Sequence, residues 1–372
     1  MSYIPPHKRN LKDPVRPSPV PDSLVPKFKK NIDFKSSSDK GNAIVHSGDF
    51  ISKWFLIGSN GIEDEVPPYV KLVPLSSDSS ERIDGVKSLV LMNNDLQRVN
   101  ITTESRKEEK EKEEEERTRW LLLAERVEED LVLAYEQAKR AMEDPHLLDS
   151  AKLRLVARFG KMIFYGRQAG GPVAEYSLEK TKRIFSTDVP TSFIQNIKSK
   201  AIPSHKFCIG EFKETYIVKA LLNPVRYLVV NVSCLDKNLD MRLMLAGKRK
   251  IMALTEKEMS KIQELLDSAT VDPNVKGRLR WPIRKTSSEY RILEVCHVKS
   301  TIYKNQTLRL RVRDTDRFNE RYGTGEIERG VTLILQSVNT MLQEKDIERG
   351  CVMEMLRDVL GTIWDFFRCD AN

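Results

Sequence analysis

The sequence predicts an α+β chain, a mostly antiparallel sheet covered by helices, and three observations carry that prediction. Short runs of β-branched and alternating residues recur along the chain, from SKWFLIG at 52–58 to TLRLRVR at 307–313. Apolar stripes at helical spacing occupy 120–142, 259–266 and 331–367. A charged run, KEEKEKEEEE at 107–116, separates the first strands from the rest. With 372 residues, 40% hydrophobic and 31% charged, the chain is long enough for about two domains and can bury a sizeable core.

Taken in order, residues 1–42 read as a disordered, basic, proline-rich tail. Pro5, Pro6, Pro14, Pro17, Pro19, Pro21 and Pro26 deny it a regular helix or a central strand. Such a tail suits recruitment of a protein partner. Residues 43–100 read as a small β module built from 52–58, 69–75 and 86–92, with Pro74 confining the second run to an edge or an end. Residues 104–144 read as one long helix with an acidic N-terminal half, exposed at its start and ended before Pro145. Its length admits a coiled coil, although no clean heptad repeat persists.

Residues 150–372 read as the α+β domain. LRLVARFGKMIFYG alternates as a strand, with Gly160 at a bulge, and short helical pieces are expected at 177–185 and 191–198. Strands are expected at 206–212, 215–222, 225–233 and 240–246. VRYLVVNVS is apolar enough to be buried on both faces. Thr255 and Glu258 form a capping box for a helix over 255–268. Two closing helices carry Val331, Leu335, Val338 and Leu342, then Val352, Met355, Leu356, Val359, Ile363 and Phe367.

Between those helices lies the functional lead. TLRLRVR turns Leu308, Leu310 and Val312 to one face and Arg309, Arg311 and Arg313 to the other, and YRILEVCHVK upstream is placed to pair with it as an antiparallel hairpin. Guanidinium groups two residues apart suit phosphates, because each presents a rigid donor fork. The same pattern also serves edge strands that must repel foreign strands. Net charge is +8, and between Arg242 and Lys285 the basic residues concentrate in Lys248, Arg249 and Lys250 and again around Trp281, with Arg278, Arg280 and Arg284 beside it. Basic residues flanking an aromatic can hold a backbone while the ring stacks on a base.

Signatures of common enzymes are missing: no Walker loop, GxGxxG, HExxH or GxSxG occurs. Asp314 and Asp316 are weak candidates for a divalent ion, and a phosphate-directed metal enzyme would need them to converge with the arginines and with carboxylates such as Glu211 and Glu214. Five scattered cysteines without a CxxC pair suit reduced thiols, and no cofactor is expected. No apolar run approaches the ~18 residues of a membrane span, so the expectation is a protein of the nucleus or cytoplasm that does not enter membranes.

The combination of YIPPHKR, VARFGK (156–161), VSCLDKNLDMRLML (232–245), DPNVKGRLRWP (272–282) and LRLRVRD (308–314) resembles an uncharacterised plant protein family, a domain of unknown function. The resemblance covers most of the chain and implies a land-plant protein, but it brings no activity, cofactor or site residues. Compared with such relatives the chain is shorter between Val218 and Val225, where another strand pair is expected. The sequence therefore favours a non-enzymatic binding protein whose basic hairpin takes RNA or another polyanion. A protein-interaction scaffold using the tail and long helix, and the phosphate-directed metal enzyme, are the alternatives.

Overall fold

Alternation of apolar and polar residues decides where this chain extends, and apolar stripes at helical spacing decide where it coils. The computed structural model describes residues 45–47, 50–58, 61–63, 66–75, 87–93, 106–142, 153–166, 178, 181–219, 225–247, 256, 260, 270–272, 274, 277–280, 294–319, 324–343 and 349–369. In chain order they form β1 (Val45–Ser47), β2 (Phe50–Gly58), β3 (Gly61–Glu63), β4 (Val70–Pro74), β5 (Lys87–Asn93), α1 (Arg106–Met142), β6 (Leu153–Gly166), β7 (Lys182–Ser186) and α2 (Thr191–Asn196). After a π-helical turn at Ile197–Ala201 come β8 (Cys208–Lys219), β9 (Val225–Cys234), β10 (Asp240–Gly247), the short pair β11 (Thr270–Val271) and β12 (Leu279–Arg280), and β13 (Glu294–Lys304). The chain then forms β14 (Leu308–Asn319), β15 (Thr324–Leu335), α3 (Gln336–Leu342) and α4 (Arg349–Arg368).

Most strands join a large, open, mostly antiparallel sheet in the order β1-β2-β9-β10-β6-β15-β14-β13-β8. The β2–β9 pair is parallel. Strand β6 is the spine. Its first half pairs with β10 and β15, and its second half pairs with β5 and β7. Gly160 sits where the strand changes partners, and a Cβ there would fall 1.9 Å from the Ser186 carbonyl oxygen, so only glycine lets β7 close on β6.

One face of the sheet is apolar. Leu155, Ala157 and Phe159 of β6, Leu228, Val230 and Val232 of β9, Leu243 and Leu245 of β10, Leu310 and Val312 of β14, and Leu333 of β15 form a single core with side chains of α1, α3 and α4. Trp120 of α1 stacks on Phe367 and lies 5.2 Å from the ring of Trp364, so the two longest helices meet through aromatic pairs, each pair worth ~0.5–1.5 kcal/mol beyond area. Beside the core, buried Asp240 accepts hydrogen bonds from the Met162 and Cys234 amides at 2.7 and 3.1 Å and faces the Lys161 ammonium at 3.4 Å, fastening β6 to β9. Burial still pushes its carboxyl above the ordinary range.

Several elements differ from the sequence expectation. Residues 182–186 extend rather than coil, because β6 offers them a pairing edge that outweighs local preference. The two strands expected at 206–222 are one strand, β8. The stripe Val331–Leu342 divides: Val331, Leu333 and Leu335 alternate along β15, and only Val338 and Leu342 lie on a helix. The strands of 43–100 do not stand apart as a module, since β2 pairs with β9 and β5 with β6. The tail, the capping-box helix apart from Glu256 and Ser260, Lys248–Lys250, Trp281 and Arg284 lie outside the described residues.

Candidate nucleic-acid interface

The opposite face of the sheet is cationic, and strand register explains how. Arg242 of β10 lies opposite Arg158 of β6, Arg158 opposite Thr332 of β15, and Thr332 opposite Arg311 of β14. On the outer side of Arg242 sits Asn231 of β9. The three arginines therefore form a row across the strands, with roots about 4.8 Å apart from Arg242 to Arg158 and about 10 Å apart from Arg158 to Arg311. Their alternation partners, such as Leu243, Ala157, Leu310 and Val312, are anchored in the core, so the row cannot turn over without exposing it.

The guanidinium groups differ in how they are satisfied. Arg242 Nε donates to Asn231 Oδ1 at 2.7 Å, and its head lies 4.7 Å from the Phe185 ring centre. Arg313 donates to Thr187 Oγ1 at 2.9 Å and forms a close ion pair with Glu328, which Arg317 shares. Gly330 stands opposite Arg313, and a Cβ there would meet Arg313 Nε at 2.4 Å, so the glycine leaves room for the side chain to lie over β15. Arg309 has Glu211 at 3.7 Å.

Arg158 and Arg311 stand differently. Both are half-buried, each has a buried Nε atom without a hydrogen-bond partner as Arg313 also has, and unlike Arg309 and Arg313 neither makes an ion pair among the described residues. Burial, then the nearby Arg313, push the Arg158 guanidinium down to about 10, against the pull of Glu328. Burial and the neighbouring Arg226 and Arg158 likewise bring Arg242 down to about 10. Arg311 is lowered by burial and by Arg313, Arg309 and Arg154, against the pull of Glu211. Each group remains charged at neutral pH, so this face holds mutually repelling cations, and among the described residues no carboxylate is bonded to Arg158 or Arg311. An anion laid across the row would supply the missing partner.

The hairpin arginines are thus part of a wider cluster, and Arg154, Arg158, Arg226 and Arg242 are the members that sequence reading missed. Their signal was present: LRLVARF and DMRLML repeat the pattern of arginine between apolar residues that made LRLRVR conspicuous. The remaining expected site residues lie elsewhere. Asp314 and Asp316 fall on the even-numbered face of β14, away from Arg309, Arg311 and Arg313, and Arg278 spans them at 3.4 and 3.2 Å. Hydrogen bonding to Asp316 raises the Arg278 guanidinium further. Arg280 Nη1 donates to the carbonyls of Gly277 and Leu279, fixing its own strand. Glu211 lies on the arginine face, whereas Glu214 accepts from His297 Nε2 at 2.6 Å on the other. The carboxylates and arginines required by a phosphate-directed enzyme are consequently split between two faces. Among the described residues no group of three or more His, Cys, Asp or Glu side chains is placed to hold a metal ion, and no helix is long and apolar enough to cross a membrane.

The model of a family described as Domain of unknown function (DUF7903) matches residues 38–221 and 217–367. The chain belongs to that family. The two matched stretches of this DUF7903 chain overlap at 217–221, which takes in the last three residues of β8. No curated protein sequence matches it. Among solved structures, the S. pombe Pct1 RNA triphosphatase is similar, with 8% identity and a TM-score of 0.45 over 67% of this chain and 93% of that one. The same enzyme in complex with the Spt5 CTD gives 9% identity and a TM-score of 0.43 over 67% and 94%.

Proposed function

We propose that this chain is a non-enzymatic binding protein that holds single-stranded RNA through its phosphates, along the row Arg242, Arg158 and Arg311. The observation that carries the proposal is the pair Arg158 and Arg311, half-buried guanidinium groups on one face without a carboxylate bonded to either. Proteins keep such groups charged at a cost of stability, and an anionic ligand is the partner that removes it. A phosphate chain suits the geometry because its charges repeat, as the arginines do, and because it can cross strands that are themselves evenly spaced. The heads are partly sunk among sheet side chains, which a flexible single strand reaches more readily than a duplex. Arg309 and Arg313, already shared with Glu211 and Glu328, would flank the bound backbone and set its limits.

Fluorescence anisotropy with a short labelled single-stranded RNA, repeated over a range of salt, tests this. Affinity should fall linearly on a log–log plot, and replacing Arg158 and Arg311 together by Gln should lower the slope by about 1.4, at ~0.7 per lost phosphate contact. Unchanged binding and slope in the folded double variant would overturn the proposal.

A further inference from the structure

Strand β8 ends the sheet among the described residues, with β13 on its inner side. A twelve-residue strand with one free edge normally hides its apolar side chains, yet Ile209 and Phe212 are 77% and 64% exposed. Residues three apart in a regular strand point to opposite faces. Here they do not. The register shifts between Ile302 and Tyr303, leaving Gly210 as the extra residue, so Ile209 lies opposite Tyr303 and Phe212 opposite Thr301. Tyr303 and Thr301 share a face, being paired with Leu310 and Val312 on their other side. The bulge thus gathers two exposed apolar side chains on one face at the rim of the sheet.

The charges around Phe212 supply the second observation. Glu211 and Lys213 flank it, both exposed. When a strand pairs antiparallel with a copy of itself about a central residue, each residue before the centre meets the residue equally far after it. Centred on Phe212, that register sets Glu211 against Lys213 of the partner subunit, twice over by symmetry, and sets the two phenylalanines side by side. A strand without a base and an acid at those two places would meet the charges unmatched, so the pattern admits its own copy and disfavours such strands.

We infer that β8 is the site of a two-fold dimer in which two copies of this chain join edge to edge into one continuous sheet. The two-fold axis stands perpendicular to the sheet, so both arginine faces come to lie on the same side. The pairing does not depend on RNA, and Glu211, which also faces Arg309 at 3.7 Å, is the one residue that it shares with the arginine face. Its area is that of a single strand pair with two apolar side chains, at the low end for protein interfaces, so the dimer should form with rising concentration rather than be permanent.

Light scattering on the size-fractionated full chain, from about 1 to about 200 μM, tests the inference in the range expected of a small interface. The wild type should approach twice its monomer mass at the upper end. Lys213→Glu, which sets two carboxylates against each other, should remain a monomer, as should Glu211→Lys. The double exchange Glu211→Lys with Lys213→Glu restores the pairing and should dimerise again. Phe212→Lys should also be monomeric, with circular dichroism reporting an intact fold in every variant. A wild type that stays monomeric throughout, or that grows beyond two copies, would overturn the inference. So would a folded double exchange that fails to recover, which would leave the edge to a strand of some other protein.

Discussion

Replacing Arg158 by Met should make the free protein more stable. Methionine keeps the unbranched stem that crosses the sheet surface but carries no charge to desolvate. Burial and the neighbouring cations bring the guanidinium down to about 10, which at ~1.36 kcal/mol per pH unit corresponds to roughly 3 kcal/mol for holding the charged form in place. Water over a half-buried head lowers this to about 1–2 kcal/mol. A gain of that size raises the melting temperature by roughly 1–3 °C in a chain of 372 residues. The pH dependence has a definite sign. With the folded-state value below the unfolded one, the cost is fully present at neutral pH and is relieved as pH climbs past about 10, so the advantage of the variant should shrink in alkaline buffer. Differential scanning calorimetry at neutral and alkaline pH measures both. The same variant should lose about 0.7 from the salt slope of RNA binding. A melting temperature that falls at neutral pH would refute the reasoning, since it would mean that Arg158 serves as an internal partner and not as a waiting ligand-binding group.

Other expectations follow from single contacts. Val230→Asp should abolish soluble expression, because Val230 is fully buried in the core face of β9 and an unpaired carboxylate there costs several kcal/mol, measurable as loss of the soluble fraction. Gly160→Ala should cost about 2–3 kcal/mol or prevent β7 from pairing, since its Cβ would strike the Ser186 carbonyl; urea unfolding reads the loss, and wild-type stability would contradict the close approach. Gly277 holds a positive φ of 64° against the backbone of Gly325, so Gly277→Ala should detach β12 from β15 and increase amide exchange around Arg278 and Arg280. The hydrogen bond from His297, with help from Lys299, holds the Glu214 carboxyl below its ordinary 4.5. Its contribution to stability is therefore present above that value and lost as pH falls through the depressed one, and an NMR titration should find the midpoint low in the wild type and moved upward in His297→Ala.

How far the residues disclosed their structure depends on the range of the interactions that fix them. Strands whose two faces have distinct environments were legible. LRLVARFG and LRLRVR alternate because one side packs on helices and the other bears arginine, and the hairpin of β13 and β14 needed only a three-residue turn, which Asn305 holds by accepting from the Thr307 and Leu308 amides. Strand β7 was not legible, since KRIFS gains its extended form from β6 alone. Nor was β15, whose apolar residues fit either period until Leu333 is seen to share the core with Leu310. The arginine site was half legible. Arg309, Arg311 and Arg313 are conspicuous along one strand, but the row that matters crosses strands, and Arg158 meets Arg311 only through a register set by Thr332.

That order of strands also governs how the chain can be made. Strand β2 waits for β9, some 170 residues later in the chain, and β6 finds β10 and β15 only after most of the sequence exists. Trp120 waits longer still, for Trp364 and Phe367. On the ribosome the first third of the protein therefore emerges with strand edges unpaired and an aromatic helix face bare, the condition in which chains aggregate or engage chaperones. A truncation after β10 would leave β6 without β15 and α1 without α4, and such a fragment should be recovered as insoluble or degraded material. The two stretches matched by the family model are for the same reason halves of one folding event and not separate modules, so tags or fusion partners belong outside them rather than at their junction.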